Sequence, residues 1–156
     1  MTVIIDYDAG NLRSVQRACA EVGLAAQITN DARAVAHADR IIFPGVGAAG
    51  SAMKSLKATA LDVALKHAIG AGTPVLGICL GLQISLDHSE EGDTPTLGLI
   101  EGRVVRFRLD DPALKIPHMG WNQVRVVKQH PLLRKIVPGD EFYFVHGYYP
   151  HPRQYA

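Results

Sequence analysis

The residue best suited to chemistry in this chain is Cys79, which lies between two glycines in the segment Gly77-Ile78-Cys79-Leu80-Gly81. An apolar run precedes it, and a helical pattern follows it. When a strand turns directly into a helix, the residue at the turn stands above the sheet. The turn is so tight that the residues two before and two after it cannot carry a Cβ atom. The spacing therefore predicts a nucleophile elbow that carries a thiol, an arrangement suited to acyl transfer.

Acyl transfer also needs donors that stabilise an oxyanion. The unpaired N–H groups at the start of the helix after Cys79 favour a thiolate and can bind such an oxyanion, and the N–H of Leu80 is the first candidate. The loop Pro44-Gly45-Val46-Gly47 is predicted to bring a second N–H from Gly45, Val46 or Gly47, because its glycines permit unusual φ values.

A substrate pocket is suggested by Gln83, which follows Cys79 by four residues and therefore projects from the same helix face. Its amide could hydrogen-bond a polar substrate. The second cysteine, Cys19, has a different context. It belongs to an apolar stripe at helical spacing, formed with Leu12, Val15 and Val22, and is predicted to be core.

The elements that must position these residues alternate in type along the first half. Strand and helix patterns predict a βα unit that is repeated four times. The predicted strands are 3–7, 27–29, 40–43 and the elbow strand, and the predicted helices are 12–22, ended by Gly23, 31–38, and 48–70 with a break near Ala58. Such alternation predicts an α/β fold with a doubly wound, mostly parallel sheet and flanking helices, in which active sites gather at the C-terminal ends of strands. Asp6, the Pro44–Gly47 loop and Cys79 all lie at such ends.

The second half has a different pattern. Strands are predicted at 103–107, 122–127 and 141–145, with turns at 110–112 and 138–140. These strands are expected to be antiparallel. Because no repeat or linker separates the halves, we expect a single domain over residues 1–156 with one shared core.

Composition excludes several functions. Sixteen Lys and Arg against fifteen Asp and Glu give a charge of +1 without a basic run, which argues against nucleic-acid binding. Seven His and two Cys show no spacing typical of a metal site, so no metal or cofactor is expected. Two cysteines in unrelated contexts, with no signal peptide and no membrane-length apolar run, predict a cytoplasmic protein.

The elbow segment, Gly77-Ile78-Cys79-Leu80-Gly81-Leu82-Gln83, resembles the nucleophile motif of the class I (triad-type) glutamine amidotransferases, whose fold is flavodoxin-like. Narrower matches lie outside the elbow, and together they resemble the glutaminase subunit of imidazole glycerol phosphate synthase, an enzyme of histidine biosynthesis. They are Asp6-Tyr7-Asp8-Ala9-Gly10-Asn11-Leu12-Arg13-Ser14-Val15, Phe43-Pro44-Gly45-Val46-Gly47, Ser89-Glu90-Glu91-Gly92, Pro117-His118-Met119-Gly120-Trp121-Asn122 and Phe142-Tyr143-Phe144-Val145-His146-Gly147-Tyr148-Tyr149.

The resemblance implies that Cys79 attacks the side-chain amide of glutamine, releases ammonia and forms a glutamyl thioester that water hydrolyses to glutamate. It implies that the Gly45–Gly47 loop and Leu80 stabilise the oxyanion and that Gln83 helps to hold glutamine. It further implies that ammonia passes to a (βα)8-barrel cyclase subunit in a heterodimer, with Asn11 and Trp121 at the interface.

This family uses a His as base and a Glu that orients it, both in a Phe-His-Pro-Glu-Lys-type motif that the 156 residues do not contain. We therefore expect that the C-terminal part of the domain is missing, that the sheet has an unpaired edge with exposed apolar surface, and that the chain by itself is weakly active or inactive. His151-Pro152-Arg153 is a poor substitute, because Arg stands where the carboxylate should be. His146 matches a family His that is not the base, and Gly147 stands where the family usually has Ser.

Two alternative hypotheses remain open from the sequence. One is a non-catalytic binding module that keeps the surface facing the cyclase and lacks the base. The other is the glutaminase of another synthase, such as the anthranilate type, which shares the elbow but not the His-Met-Gly-Trp-Asn element.

Overall fold

A computed structural model of the chain describes residues 1–8, 10–111 and 113–154. The chain forms two compact units, one made of Met1–Val105 with Pro150–Ala156 and the other of Arg106–Tyr149. The expectation of a single domain over residues 1–156 stays a prediction. None of the helices in these ranges combines the length and the hydropathy that a membrane crossing requires.

The first unit is built on a four-stranded parallel sheet in the order β2-β1-β3-β4. Its strands are β1 (Thr2–Ile5), β2 (Ala26–Thr29), β3 (Arg40–Phe43) and β4 (Val75–Gly77). All four predicted strands are present, and the prediction of a parallel sheet is confirmed. The register pairs Phe43 with Gly77, the last residues of β3 and β4. The chain therefore leaves these two strands side by side, at the C-terminal end of the sheet.

Helices connect these strands. They are α1 (Leu12–Glu21), α2 (Ala32–Ala36), α3 (Ala49–Ala58), α4 (Leu61–Gly70) and α5 (Leu80–Gln83). The predicted break near Ala58 is confirmed, because Ala60 has a left-handed conformation with φ 55° and separates α3 from α4. Gly23 ends α1 as predicted, at φ +73°.

Apolar residues cover both faces of the sheet, which confirms the doubly wound arrangement. Alternate residues of a strand point to opposite faces. On one face, Ile4 and Ile42 pack with Cys19 of α1. On the other, strand residues and helices α2, α3 and α4 form a larger core of buried residues that includes Val3, Ile5, Val35, Ile41, Phe43, Leu56 and Leu65.

The prediction that Cys19 is core is confirmed, since its side chain is buried in the cluster with Leu12 and Val15. The prediction for Val22 is wrong. Val22 lies after the end of α1, where the chain has left the helical path, and 77% of it is exposed.

Short strands form a second sheet. They are β5 (His88–Ser89), β6 (Thr94–Pro95), β7 (Gly102–Arg106) and β10 (Tyr148–Pro152), in the order β10-β7-β5-β6, and a 3₁₀ turn, Glu91–Asp93, lies between β5 and β6. The antiparallel expectation fails for β7, which pairs in parallel with β5. The chain between β5 and β7 includes β6, which runs antiparallel to β5. The chain has therefore turned back before β7 begins, and β7 runs in the same direction as β5.

In the second unit, β8 (His118–Gln123) and β9 (Glu141–His146) form an antiparallel pair, as expected. A 3₁₀ turn, Pro131–Leu133, lies between them. The strand predicted at 122–127 overlaps β8 only at Asn122 and Gln123, because β8 begins at His118 and ends where Gln123 pairs with Glu141, the first residue of β9. The turn predicted at 138–140 is confirmed by a hydrogen bond of 3.1 Å from the Asp140 N–H to the Val137 carbonyl. The other predicted turn includes Pro112, which lies outside the described residues.

Candidate functional site

Cys79 lies directly between β4 and α5, with a backbone conformation that is rare for a residue with a side chain. Its φ is 54° and its ψ is −117°, and such a conformation costs on the order of 1–3 kcal/mol. Two hydrogen bonds hold this turn: the Ile78 N–H donates to the Phe43 carbonyl at 3.0 Å, and the Gln83 N–H donates to the Cys79 carbonyl at 3.1 Å. The thiol is exposed. A strained backbone and an exposed thiol, at a turn from a strand directly into a helix, are the features of a nucleophile elbow.

The glycines on either side leave no space for a side chain. A Cβ on Gly77 would lie 2.9 Å from the Leu82 Cα. A Cβ on Gly81 would collide with the carbonyl oxygen of Phe43 and lie 2.7 Å from its carbonyl carbon. The lack of space for a Cβ at both glycines agrees with the tight turn that their spacing predicts, and at Gly81 the atoms in the way belong to the end of β3.

The predicted oxyanion loop, Pro44–Gly47, leaves β3 at the same C-terminal end of the sheet and meets the start of α5. A Cβ on Gly45 would lie 2.9 Å from both the Gly81 nitrogen and the Leu80 Cβ. Gly45 is buried, whereas Val46 and Gly47 are exposed. Gly47 has φ +93°, which a residue with a side chain rarely adopts. The contact between Gly45 and the start of α5 brings the loop and the Cys79 turn together.

Tyr7 is the site residue that sequence reasoning missed. Its side chain is buried, its hydroxyl donates a hydrogen bond of 2.8 Å to the Pro44 carbonyl, and its ring packs edge-on against Phe43 at 5.5 Å. Burial raises the pKa of the Tyr7 hydroxyl well above its usual range, and the charge on the neighbouring Cys79 raises it further. The hydroxyl therefore stays protonated and holds the first residue of the predicted oxyanion loop. Its position in the Asp6-Tyr7 motif directly after β1 could have indicated this role.

The remaining predicted residues lie in both units. Gln83 ends α5, one helical turn beyond Cys79, and is partly buried. Asn11 precedes α1 in the first unit, with φ 70°, and is exposed beside a cavity of about 550 Å³. Trp121 lies on β8 in the second unit, where 67% of it is exposed and its ring meets that of Tyr143 edge-on at 5.5 Å.

Two of the histidines that are candidates for a base by residue type have polar partners in the structure. The His88 Nε2 lies 2.9 Å from the Asp93 carboxylate, and the His146 Nδ1 lies 2.9 Å from the Tyr148 carbonyl. Arg153, beside His151, lies 3.5 Å from Glu101. In the part of the chain that the structure describes, no three His, Cys, Asp or Glu side chains are grouped so that they could hold a metal ion.

The whole chain, with its elbow and glycine-rich loop, was compared with known protein families. The family model for class-I glutamine amidotransferases matches residues 3–154. The chain belongs to this amidotransferase family. Among its relatives, the HisH subunit of imidazole glycerol phosphate synthase from Nitratidesulfovibrio vulgaris is 48% identical over 157 residues, which cover 97% of this chain and 74% of that protein. The HisH subunit from Listeria monocytogenes is 43% identical, over 99% of this chain and 74% of that protein.

Solved structures support the amidotransferase fold. A crystal structure of a glutamine amidotransferase aligns with 99% of this chain and 75% of its own, at a TM-score of 0.72 and 16% identity. At that identity the likeness shows the fold alone. The relatives named above are HisH subunits, and they favour the imidazole glycerol phosphate synthase hypothesis over the glutaminase of another synthase.

Proposed function

We propose that this protein hydrolyses L-glutamine at Cys79 and supplies the ammonia to the cyclase subunit of imidazole glycerol phosphate synthase. The observation that carries the proposal is the backbone of Cys79, held at φ 54° and ψ −117° with its thiol exposed beside the oxyanion loop. The HisH relatives support the choice of substrate and pathway.

The chemistry follows from a thiolate beside N–H donors. The Cys79 sulfur attacks the side-chain carbonyl carbon of glutamine, and the carbonyl electron pair moves to oxygen. The electron pair then returns to re-form the C=O bond as the C–N bond breaks, the nitrogen takes the proton that the base removed from the thiol, and ammonia leaves behind a glutamyl thioester. Water attacks this thioester, the C–S bond breaks, and glutamate is released with the thiol restored. A general base is needed to deprotonate the thiol and the water.

Each remaining predicted residue has a part in this scheme. The N–H of Leu80 and an N–H from Gly45, Val46 or Gly47 stabilise the oxyanion, a type of interaction that is worth about 3–4 kcal/mol per donor in other enzymes. The packing of Gly45 against Leu80 supports this role, because it keeps both sources of N–H groups near the Cys79 turn. Gln83 orients the glutamine from the same side of α5.

The partner is a (βα)8-barrel cyclase that receives ammonia directly, in the cytoplasm, as part of a heterodimer. Ammonia that escapes into neutral water is mostly protonated and is then no longer a nucleophile, so direct transfer preserves its reactivity. Asn11 and Trp121 contact the cyclase in this proposal. The large exposed fraction of Trp121 supports its part, since exposed aromatic residues are frequent anchors of interfaces.

The proposed chemistry is tested by covalent trapping in the full product of the natural gene, bound to the cyclase. An electrophilic glutamine analogue that carries a chloromethyl ketone should label Cys79, as found by peptide mass spectrometry. Glutamine should protect the thiol, whereas asparagine, one methylene shorter, should not. Cys19 is the internal control, because this buried thiol should stay unlabelled. Labelling at Cys79 that glutamine does not prevent would contradict the proposed substrate.

Trp121→Ala should weaken binding of the cyclase by about thirtyfold, the loss expected when an aromatic anchor of an interface is truncated. The dissociation constant is measured by titration calorimetry with the purified cyclase. Leu132→Ala is the matched control, because Leu132 belongs to the same unit and is 66% exposed but has no predicted role. Equal affinities for W121A and the wild type would remove Trp121 from the proposed interface.

A further inference from the structure

We propose that Glu91 is a positioning residue that holds the oxyanion loop from its downstream end. This inference rests on the proposed glutaminase function and adds a role for the Ser-Glu-Glu-Gly segment, which the chemistry above does not use. The carboxylate of Glu91 reaches across 42 residues of sequence and accepts a hydrogen bond of 2.8 Å from the N–H of Ala49. Ala49 is buried, begins α3 and follows Gly47 by two residues.

Helix α3 depends on this contact because it lacks a cap of its own. Its N-cap residue, Ala48, has the extended conformation that suits a cap, at φ −100° and ψ 144°, but its methyl group cannot accept a hydrogen bond. The first turn of α3 contains no acidic residue. Glu91 therefore supplies from outside both an acceptor and a negative charge at the positive end of a helix of ten residues.

The backbone of Glu91 is held by hydrogen bonds on both sides. Its N–H donates to the Ser89 hydroxyl at 3.2 Å, and its carbonyl accepts from the Thr94 hydroxyl at 2.8 Å. Ser89 is buried, and the N–H of Glu90 donates to the Val104 carbonyl at 2.9 Å. These bonds tie the 3₁₀ turn to the second sheet, so the carboxylate of Glu91 is a fixed point against which α3 can be placed.

The oxyanion loop is then held at both ends. Upstream, the Tyr7 hydroxyl binds the Pro44 carbonyl, and downstream the Glu91 carboxylate binds the Ala49 N–H. Between these two points lie the exposed residues Val46 and Gly47. An oxyanion donor acts well only if it is already in place when charge develops on the substrate. Loss of the downstream bond should let the loop move and lower the rate of the chemical steps.

The test measures kcat and KM for glutamine in the full gene product bound to its cyclase. Glu91→Ala should lower kcat about tenfold, a part of the loss seen when an oxyanion donor is removed outright, with KM changed less than about threefold. Glu91→Gln should keep at least half of kcat, because its amide oxygen can still accept the N–H of Ala49. Glu101→Gln, which removes an equivalent carboxylate from an exposed ion pair, is the control and should change neither constant.

A local cap should rescue the loss. Serine at an N-cap position accepts an N–H of the first helical turn, so Ala48→Ser in the Glu91→Ala background should raise kcat at least threefold. An unchanged kcat in E91A, or a loss that lies in KM and is not rescued by A48S, would overturn the inference. If E91A does not fold, the other two variants decide: the inference expects at least half of the wild-type kcat in E91Q and at least about three tenths of it in the A48S/E91A double variant, and a lower kcat in either would overturn it. Cys79→Ala in the same assay separates the two proposals: full hydrolysis by C79A would remove the glutaminase function itself, whereas inactive C79A with unaffected E91A would remove only the role of Glu91.

Discussion

Cys79→Ala is expected to lower glutamine-dependent turnover by about a thousandfold or more, the loss typical of a deleted nucleophile. The exposed thiol at φ 54° is the only atom of the elbow that can form the thioester, and an alanine methyl group cannot replace it. Turnover that uses added ammonia should persist, because ammonia no longer has to come from this subunit. Both rates are measured in the complex of the full gene product with its cyclase.

Cys19→Ala is the matched control for this prediction. Cys19 is buried in the apolar cluster between α1 and the sheet, so its loss should lower the free energy of unfolding by about 1 kcal/mol and leave turnover within twofold. Retained glutamine turnover in C79A would exclude Cys79 as nucleophile. If the wild-type complex forms but uses only added ammonia, the binding-module hypothesis replaces the glutaminase.

Gly81→Ala should disrupt the elbow, and we expect a loss of glutamine turnover of at least a hundredfold. The new Cβ would collide with the carbonyl oxygen of Phe43, the same atom that accepts the N–H of Ile78. Relief of this collision requires α5 to move away from β3, which breaks the close contact between Gly45 and Leu80. Such overpacking costs about 1–3 kcal/mol in folding as well. Kinetics and thermal unfolding of the same preparation measure the two effects.

Gly70→Ala is the control substitution for this second prediction. Gly70 is the last residue of α4, and a Cβ there meets no atom within 4 Å. The change should therefore leave turnover unaltered and add roughly 0.5–1 kcal/mol to the free energy of unfolding. A G81A variant that is as active and as stable as G70A would show that the elbow does not need the close approach of α5 to β3.

The first half was predictable because its signals are local. The strand at 40–43 was predicted with its observed bounds, and the break between α3 and α4 was also foreseen. The second half was less predictable. The apolar alternation at 122–127 is typical of a strand, but a strand extends only as far as its partner does, and β9 begins at Glu141. Pairing partners are distant in sequence, so periodicity alone cannot fix where β8 ends.

The sequence by itself determined the candidate site of this protein: a thiol between two glycines, a glycine-rich loop after an earlier strand, and the order of elements that brings both to the C-terminal end of a parallel sheet. Only the tertiary structure decided what holds them in place. The hydroxyl of Tyr7 on the Pro44 carbonyl and the carboxylate of Glu91 on the Ala49 N–H join residues that are 37 and 42 positions apart. Such bonds depend on how complete helices and strands pack against one another. The spacing of residues along the chain does not specify which distant residues this packing brings into contact.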